Sequence, residues 1–287
     1  QREWRKYELE SASSPRGEQK MSVPILDASA WREFRGKPAN AGLNETTHLA
    51  KVADEQGKLH DCFVKLLPMN GPALLCEAIG WLLARRSDVS CPAFGAIVMV
   101  PVPELRKCAP LPTKFDGIDL CPAWCSEIVA GKAVRQVHKM VFFLARKACL
   151  RSKDARKIAA FDQWGDLRDR NFGNVIQSSR GGYVAIDHES LLHDLLWVPT
   201  GRGFEERSLL VEARSALTPQ EFQRFQVDMA NAAKGHAQAL DDARADLGDI
   251  IAKLIPAHAP AATQAIVQTL DQRAQSGWLS NNLGVIV

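Results

Sequence analysis

Two nearby stretches decide the fold: residues 164–176 read WGDLRDRNFGNVI, and residues 181–189 read GGYVAIDHE. Their short apolar runs, VI and YVAI, flank a glycine-containing turn, and this pattern is typical of a β-hairpin. Asp169 lies five positions before Asn174, and Asn174 lies thirteen positions before Asp187. We therefore expect a hairpin that brings two carboxylates and one carboxamide together at one end.

These three side chains suit a divalent cation. Proteins bind Mg²⁺ through one or two carboxylates together with the phosphate oxygens of a substrate. Each residue taken alone has a simpler interpretation, because Asp and Asn commonly hydrogen-bond to their own backbone in turns. The joint spacing of Asp169, Asn174 and Asp187 favours a metal and phosphate site over three separate turns.

The same spacing resembles a known family. A D-x-x-x-x-N motif, followed after thirteen residues by an Asp at the end of an apolar strand, is similar to the catalytic loop and metal-binding Asp of protein-kinase-like phosphotransferases. The residues DRNFGN at 169–174 and IDH at 186–188 most resemble the HipA-like kinases. The resemblance covers roughly residues 30–200, and its specific motifs lie within 160–190.

The resemblance implies an α+β, two-lobed protein-kinase-like fold with a small strand-rich N-lobe and a larger helical C-lobe. It implies transfer of the γ-phosphoryl group of ATP, with Mg²⁺, to a Ser/Thr hydroxyl on a protein. Asp169 would be the catalytic base with Asn174 beside it, and Asn174 and Asp187 would bind Mg²⁺. The implied partners are a protein substrate and a separate antitoxin or regulatory chain, in the cytoplasm.

Upstream residues match other parts of such a site. Lys65, in the apolar run FVKLL, is expected to contact the α- and β-phosphates, and Glu77 on the following helical pattern is its expected ion-pair partner. The loop at 36–47 is expected to cover the phosphates, with Asn44 and Thr46 as candidate contacts. This loop lacks a G-x-G-x-x-G pattern, which is a departure from ordinary protein kinases.

The segment SEIV, residues 126–129, lies between the strand-rich and helical regions. The backbone of Glu127 and Val129 is expected to bind adenine there. Together with Lys65, this would place the nucleotide in a cleft between two lobes.

Hydrophobic periodicity divides the chain into three regions. Residues 1–20 are charged and have no apolar segment, so we expect a flexible leader. Residues 21–130 combine short apolar runs, turn signals and one apolar helical pattern, which predicts an N-lobe carrying the phosphate loop, the Lys strand and the Glu helix. Residues 131–287 are mainly helical, with a capping box that begins at Thr218, and they carry the catalytic and metal loops.

Composition excludes several classes of protein. The 287 residues include 36 Lys and Arg against 33 Asp and Glu, and a net charge of +3 does not indicate a dedicated nucleic-acid binder. No apolar run is long enough to predict a transmembrane helix, so we expect no membrane partner. The seven cysteines are odd in number and lie mostly in apolar runs, which favours reduced thiols over a disulfide framework.

Two other functions remain open. A small-molecule kinase of the aminoglycoside or choline type shares the Asp…Asn…Asp spacing, but its usual H-x-D is missing because Leu167 stands two positions before Asp169. A nucleotide-binding pseudokinase is the second alternative, supported by the irregular phosphate loop. The presence of Lys65, Asn174 and Asp187 favours catalysis over this second alternative.

Overall fold

The structure, a computed structural model, describes residues 22–38, 44–137 and 139–287. The predicted leader at 1–20 lies outside these residues, and so do residues 39–43 of the predicted phosphate loop. The described chain combines a mixed six-stranded sheet with a helical region, which confirms the predicted α+β class and is compatible with two lobes.

The described strands form two sheets. They are β1 (Ile25–Leu26), β2 (Trp31–Gly36), β3 (His48–Ala53), β4 (Leu59–Leu66), β5 (Gly95–Pro101), β6 (Leu120–Glu127), β7 (Gly131–Ala133), β8 (Val175–Ser178) and β9 (Tyr183–Ala185). The larger sheet has the order β1-β5-β6-β4-β3-β2, with β1 parallel to β5 and the other neighbours antiparallel. The smaller sheet has the antiparallel order β7-β8-β9, so the predicted β8–β9 hairpin is confirmed.

The described helices lie mostly after the larger sheet. They are α1 (Ala73–Arg86), α2 (Val102–Cys108), α3 (Lys139–Arg151), α4 (Lys153–Trp164), α5 (Leu209–Ala216), α6 (Pro219–Ala233), α7 (His236–Leu254), α8 (Ala259–Ala274) and α9 (Trp278–Leu283). The predicted capping box is confirmed, because the Thr218 hydroxyl accepts from the Glu221 N–H and the Glu221 carboxylate accepts from the Thr218 N–H. None of these described helices has both the length and the apolar character that crossing a bilayer would require.

The β3–β4 hairpin sets the direction in which Lys65 points. Cys62, Val64 and Leu66 are buried in the core of the larger sheet. Since side chains alternate between the two faces of a strand, Lys65 projects from the opposite face. Lys65 pairs in register with Trp124 of β6, so these two side chains share that face.

Helix α1 covers this second face and joins the sheet to the helical region. Every residue from Ala73 to Ala84 is buried, which explains why α1 has apolar residues on all sides. Trp81 of α1 meets Trp124 of the sheet edge-on, with ring centroids 6.4 Å apart. On its other side α1 packs against α7, and Arg86 donates to Asp246 over 2.8 Å. Glu77 of α1 therefore lies where the sheet and the helical region meet.

The cysteines agree with the prediction of reduced thiols. All seven are free, and five of them are buried. Burial raises the pKa of the Cys149 thiol to about 12, which keeps it protonated and unreactive at neutral pH.

Candidate active site

Lys65 lies at the centre of a cluster of carboxylates. Its Nζ is 3.5 Å from Glu77 Oε1, 3.4 Å from Asp187 Oδ1 and 2.5 Å from Glu189 Oε2. Burial alone would lower the pKa of the Lys65 ammonium, but the charges of its acidic neighbours, led by Asp187, raise the pKa above its ordinary value. Lys65 is therefore a permanent cation, as a phosphate-binding lysine must be.

Glu77 is the buried member of the cluster. Its Oε2 accepts the His188 N–H over 2.8 Å, while Oε1 faces Lys65. Burial raises the pKa of the Glu77 carboxyl above its ordinary value despite the opposing charge of Lys65, and the carboxylate of Asp187 raises it further. Glu77 thus links α1, the lysine strand and the loop after β9.

A close approach between α1 and that loop makes this link possible. Gly80 lies one turn after Glu77, and a Cβ atom at Gly80 would lie only 2.3 Å from the Cβ of His188. His188 is buried, and both burial and the charge of Arg170 lower its pKa to about 3, so the imidazole is neutral. The buried, neutral imidazole of His188 acts as a packing group between α1 and the loop.

Asp187 occupies a left-handed backbone conformation, with φ of +62°. A non-glycine residue with positive φ is uncommon and carries local strain, which occurs most often at functional sites. Burial would raise the pKa of the Asp187 carboxyl, but Lys65 and Arg170 lower it below its ordinary value. Asp187 is therefore ionised and 40% exposed beside the lysine, as a metal ligand would be.

Asp169 and Asn174 lie together in the loop before β8. Asn174 Nδ2 donates to the Asp169 carbonyl over 3.0 Å, and the Ile186 N–H donates to the Asn174 carbonyl over 3.1 Å. The first bond joins the two ends of the D-x-x-x-x-N motif. The second connects this motif to the residue before Asp187, and the convergence of the three side chains on one cation stays a prediction.

Arg170 connects α4 with the loop before β8 and the loop after β9. Its side chain is fully buried, and its guanidinium contacts the carboxylate of Asp162 on α4 at 3.1–3.2 Å. Its Nη1 donates to the carbonyls of Asn174, at 3.3 Å, and Asp187, at 3.5 Å, and also contacts the Ile186 carbonyl. Arg170 thus belongs to a buried ion pair that connects the loop before β8 with the loop after β9.

Two charged residues were missed as members of the site. Glu189 makes the shortest contact with Lys65. Arg207 forms an ion pair with Asp169, with Nε 2.9 Å from Oδ1. Glu189 lies two positions after Asp187, which was a usable signal, whereas no local pattern pointed to Arg207.

The candidate phosphate-loop residues form a turn beside the lysine strand. Asn44 Oδ1 accepts from the N–H and the hydroxyl of Thr46, over 3.0 and 2.6 Å. The Thr46 hydroxyl accepts from the Leu66 N–H over 3.1 Å and is buried. Both side chains are thus used to hold the turn against β4. A phosphate contact from Asn44 or Thr46 stays a prediction.

The candidate adenine-binding residues lie at the end of β6 and just beyond it. The Glu127 N–H donates to the Phe94 carbonyl over 3.0 Å, and its carboxylate lies 3.3 Å from His60 Nδ1. Within the described ranges, no hydrogen-bond partner is found for the Val129 N–H. Adenine binding by Glu127 and Val129 stays a prediction, and Val129 offers the available donor.

A second cluster contains two Asp residues and one His, and it resembles a metal centre only in composition. Asp166, His193 and Asp194 have ligand atoms within 4.8 Å of one another. His193 Nε2 accepts from the Phe204 N–H, so its Nδ1 carries the proton and donates to Asp194 over 2.9 Å. Asp166 in turn contacts Arg168 at 2.9 Å. Because both imidazole nitrogens are engaged, we interpret this cluster as structural.

Comparisons with known proteins do not assign a family. No protein-family model matches the chain, and no curated protein matches it. The HipA-like resemblance therefore stays a prediction from the motifs at 169–174 and 186–188.

Proposed function

We propose that the protein is an ATP- and Mg²⁺-dependent phosphotransferase with a two-lobed, HipA-like kinase fold. The observation that carries the proposal is the convergence of three elements on one ammonium group. Lys65 reaches from β4 to within 3.5 Å of Glu77 on α1 and 3.4 Å of Asp187 after β9. A solvated lysine on a sheet surface would not have two acidic partners from separate elements.

The charge of the cluster fits a nucleotide with a divalent cation. Asp187 and Glu189 face Lys65, and Arg202 lies 3.5 Å from Glu189. Burial raises the pKa of Glu77 to about 8, which reduces its negative charge at neutral pH. The ionised, exposed carboxylate of Asp187 is therefore the group available to a cation. Hard oxygen donors, as on Asn174 and Asp187, are the ligands that Mg²⁺ prefers, and these two residues would hold it. When bound, Mg²⁺ supplies neutralisation of the phosphate charge.

The residues of the chain then have separate roles. Lys65 binds phosphate oxygens, and Glu77 orients the ammonium from the buried side. Asp169 accepts the proton of the acceptor hydroxyl as the γ-phosphoryl group passes from ATP to that oxygen, with cleavage of its bond to the β,γ-bridging oxygen and release of ADP. Positioning and charge stabilisation account for most of the rate in such reactions. By resemblance, the acceptor is a Ser/Thr hydroxyl on a cytoplasmic protein, and a separate chain regulates the enzyme.

Radiolabelled ATP tests this proposal. The purified chain is incubated with [γ-³²P]ATP, Mg²⁺ and a lysate of the expression host, and label is measured separately in proteins and in small molecules. We expect label in proteins, and we expect D169N to lower its rate about 100-fold. A matched control is D249N, which removes a carboxylate on the exposed surface of α7.

Three other results would each contradict one part of the proposal: the protein acceptor, the catalytic activity or the catalytic base. Label found only in small molecules would replace the protein acceptor with a metabolite. ATP binding without any transfer would replace the enzyme with a nucleotide-binding module. Equal transfer by D169N and wild type would contradict the assignment of the catalytic base.

A further inference from the structure

The backbone of Arg207 is fixed to the catalytic loop on both sides of Asp169. The Arg207 N–H donates to the Arg168 carbonyl, and the Arg170 N–H donates to the Arg207 carbonyl, both over 2.8 Å. These two bonds make a parallel bridge between Asp169 and Arg207. The position of Arg207 relative to Asp169 is therefore set by the main chain, unlike that of a surface residue whose side chain happens to reach a carboxylate.

The Arg207 side chain then engages both oxygens of Asp169. Its Nε is 2.9 Å from Oδ1, and its Nη2 donates to Oδ2 over 3.1 Å. Asn171 Nδ2 also donates to Oδ1, over 3.1 Å. The guanidinium therefore makes one hydrogen bond, to Oδ2, and a close charge contact at Oδ1, and contacts at both oxygens restrict rotation of the carboxylate more than one contact does.

The next residue anchors Arg207 from the other direction. Ser208 is buried, and its hydroxyl accepts from the Val211 N–H over 3.2 Å as the N-cap of α5. Arg207 thus lies between two fixed points, the catalytic loop and the start of a helix. Arg207 itself is 40% exposed, and ion pairs with such exposure contribute little to stability, about 0–1 kcal/mol.

We propose that Arg207 is a positioning residue that holds the Asp169 carboxylate in the orientation that receives the acceptor proton. This inference rests on the proposed phosphotransferase function. Oδ2 of Asp169 accepts from Arg207 Nη2 and keeps a second lone pair, so the acceptor hydroxyl can bind there while Arg207 stays in place. Loss of Arg207 leaves the base present but free to rotate, and a displacement of about 1 Å can lower a rate roughly 100-fold.

Variants at Arg207 and at a neighbouring arginine test the inference. R207Q and R207K are compared with R168Q, since the Arg168 side chain contacts Asp166 and Asp194 and makes no contact with Asp169. The initial rate of ³²P transfer to lysate protein at saturating ATP, the KM for ATP and the Tm are measured. We expect R207Q to lower the rate at least about 10-fold with KM for ATP within about 2-fold of wild type. The transfer rate of R207K should lie between those of R207Q and the wild type, because an ammonium supplies the positive charge without the paired N–H donors of a guanidinium.

Chemical rescue separates positioning from stability. The side chain is partly exposed, so added guanidinium ion at millimolar concentration can enter the space left in R207A. We expect guanidinium to restore part of the transfer rate of R207A and none of that of D169N. A structural role for Arg207 predicts a lower Tm and no rescue.

Each remaining result has a definite meaning. Equal rates for R207Q, R168Q and wild type would overturn the role of Arg207 and leave the proposed function standing. A lowered Tm of R207Q, with no recovery of the transfer rate in R207K or on addition of guanidinium to R207A, would also overturn it. Absence of transfer by the wild type would overturn the proposed function, and the role of Arg207 with it.

Discussion

Two ion-pair clusters flank the loop at Asp187, and they are built in opposite ways. Arg170 and Asp162 form one cation and one anion, both sealed from solvent and fully hydrogen-bonded. Lys65 instead faces three carboxylates and lies next to Asp187, which is 40% exposed. The charges of Arg170 and Asp162 neutralise each other, and the pair acts as a scaffold for the surrounding loops. The Lys65 cluster contains an ionised, exposed carboxylate, Asp187, which is the arrangement expected of a site that binds a cation and a ligand.

Substitution of Arg170 in the buried pair with Asp162 is expected to give the largest effect, a loss of the free energy of unfolding. R170M leaves the Asp162 carboxylate buried without its partner, and breaking such a pair costs about 3–5 kcal/mol of the free energy of unfolding. Urea denaturation measures this loss. Adding D162L should recover part of it, since the isolated buried charge is then removed.

The control for this variant is R244M, whose exposed guanidinium contacts Asp241 and Asp271 on the surface. We expect a much smaller change there. If R170M and R244M lowered stability equally, the distinction between the two clusters would be lost.

Substitution of Asp187 in the cluster around Lys65 should lower phosphoryl transfer. D187N is expected to lower phosphoryl transfer about 100-fold or more, because the site loses the carboxylate that would hold Mg²⁺ against the phosphates. Stability should fall only modestly, since D187N loses the attraction of Lys65 and Arg170 for a carboxylate that is 40% exposed. The ³²P assay and urea denaturation together check both statements.

D249N is a matched control, because the Asp249 side chain is also 40% exposed and pairs with a lysine. It should leave transfer unchanged. Full turnover by D187N would contradict the proposed metal ligand.

The contact that joins the two clusters can be tested at Gly80. G80A places a methyl group 2.3 Å from the His188 Cβ, so α1 and the loop must separate, at a cost of about 1–3 kcal/mol. Transfer should fall as well, because Glu77 and Asp187 move apart. Urea denaturation and the ³²P assay measure the two effects.

Gly248 on α7 provides the control, since open space surrounds the position of its added Cβ. G248A should be neutral or slightly stabilising, because alanine favours helix over glycine. A loss in G248A as large as that in G80A would show that the close approach at His188 is unimportant.

The smallest expected effect concerns Glu189. Its carboxylate contacts Lys65 at 2.5 Å and competes with phosphate for the ammonium. E189Q should therefore lower the Kd for ATP by about 5-fold, which corresponds to roughly 1 kcal/mol. Fluorescence titration with a labelled ATP analogue measures this change.

E206Q is the comparison, because Glu206 is exposed and lies 3.9 Å from Arg168. It should not alter the Kd. Weaker binding in E189Q would mean that Glu189 supports the nucleotide site, for example as a further cation ligand.

Local patterns were enough to predict much of the fold. The spacing of two apolar runs predicted the β8–β9 hairpin, and the sequence TPQE predicted the start of α6 at Thr218. The apolar run that contains Glu77 predicted α1. These features depend on residues that are near one another in sequence, so periodicity and capping chemistry report them directly.

Long-range contacts escaped prediction for a physical reason. Arg207 lies 38 positions after Asp169, and the intervening segment has no regular period that would show which residues meet. Arg170 could not be assigned to a buried pair because its partner, Asp162, is on a different element. The α+β class was predictable from the sequence, whereas the charge balance around Lys65 required the packing of α1 against the loop after β9.

The most direct test of the account is the binding of ATP with and without Mg²⁺ by isothermal titration calorimetry. Asp187 is ionised and exposed beside Lys65, where it would hold a cation, so we expect ATP to bind in Mg²⁺ and to bind much more weakly in EDTA. D187N should lose most of this difference. No binding of ATP, or equal affinity in Mg²⁺ and EDTA, would contradict the account.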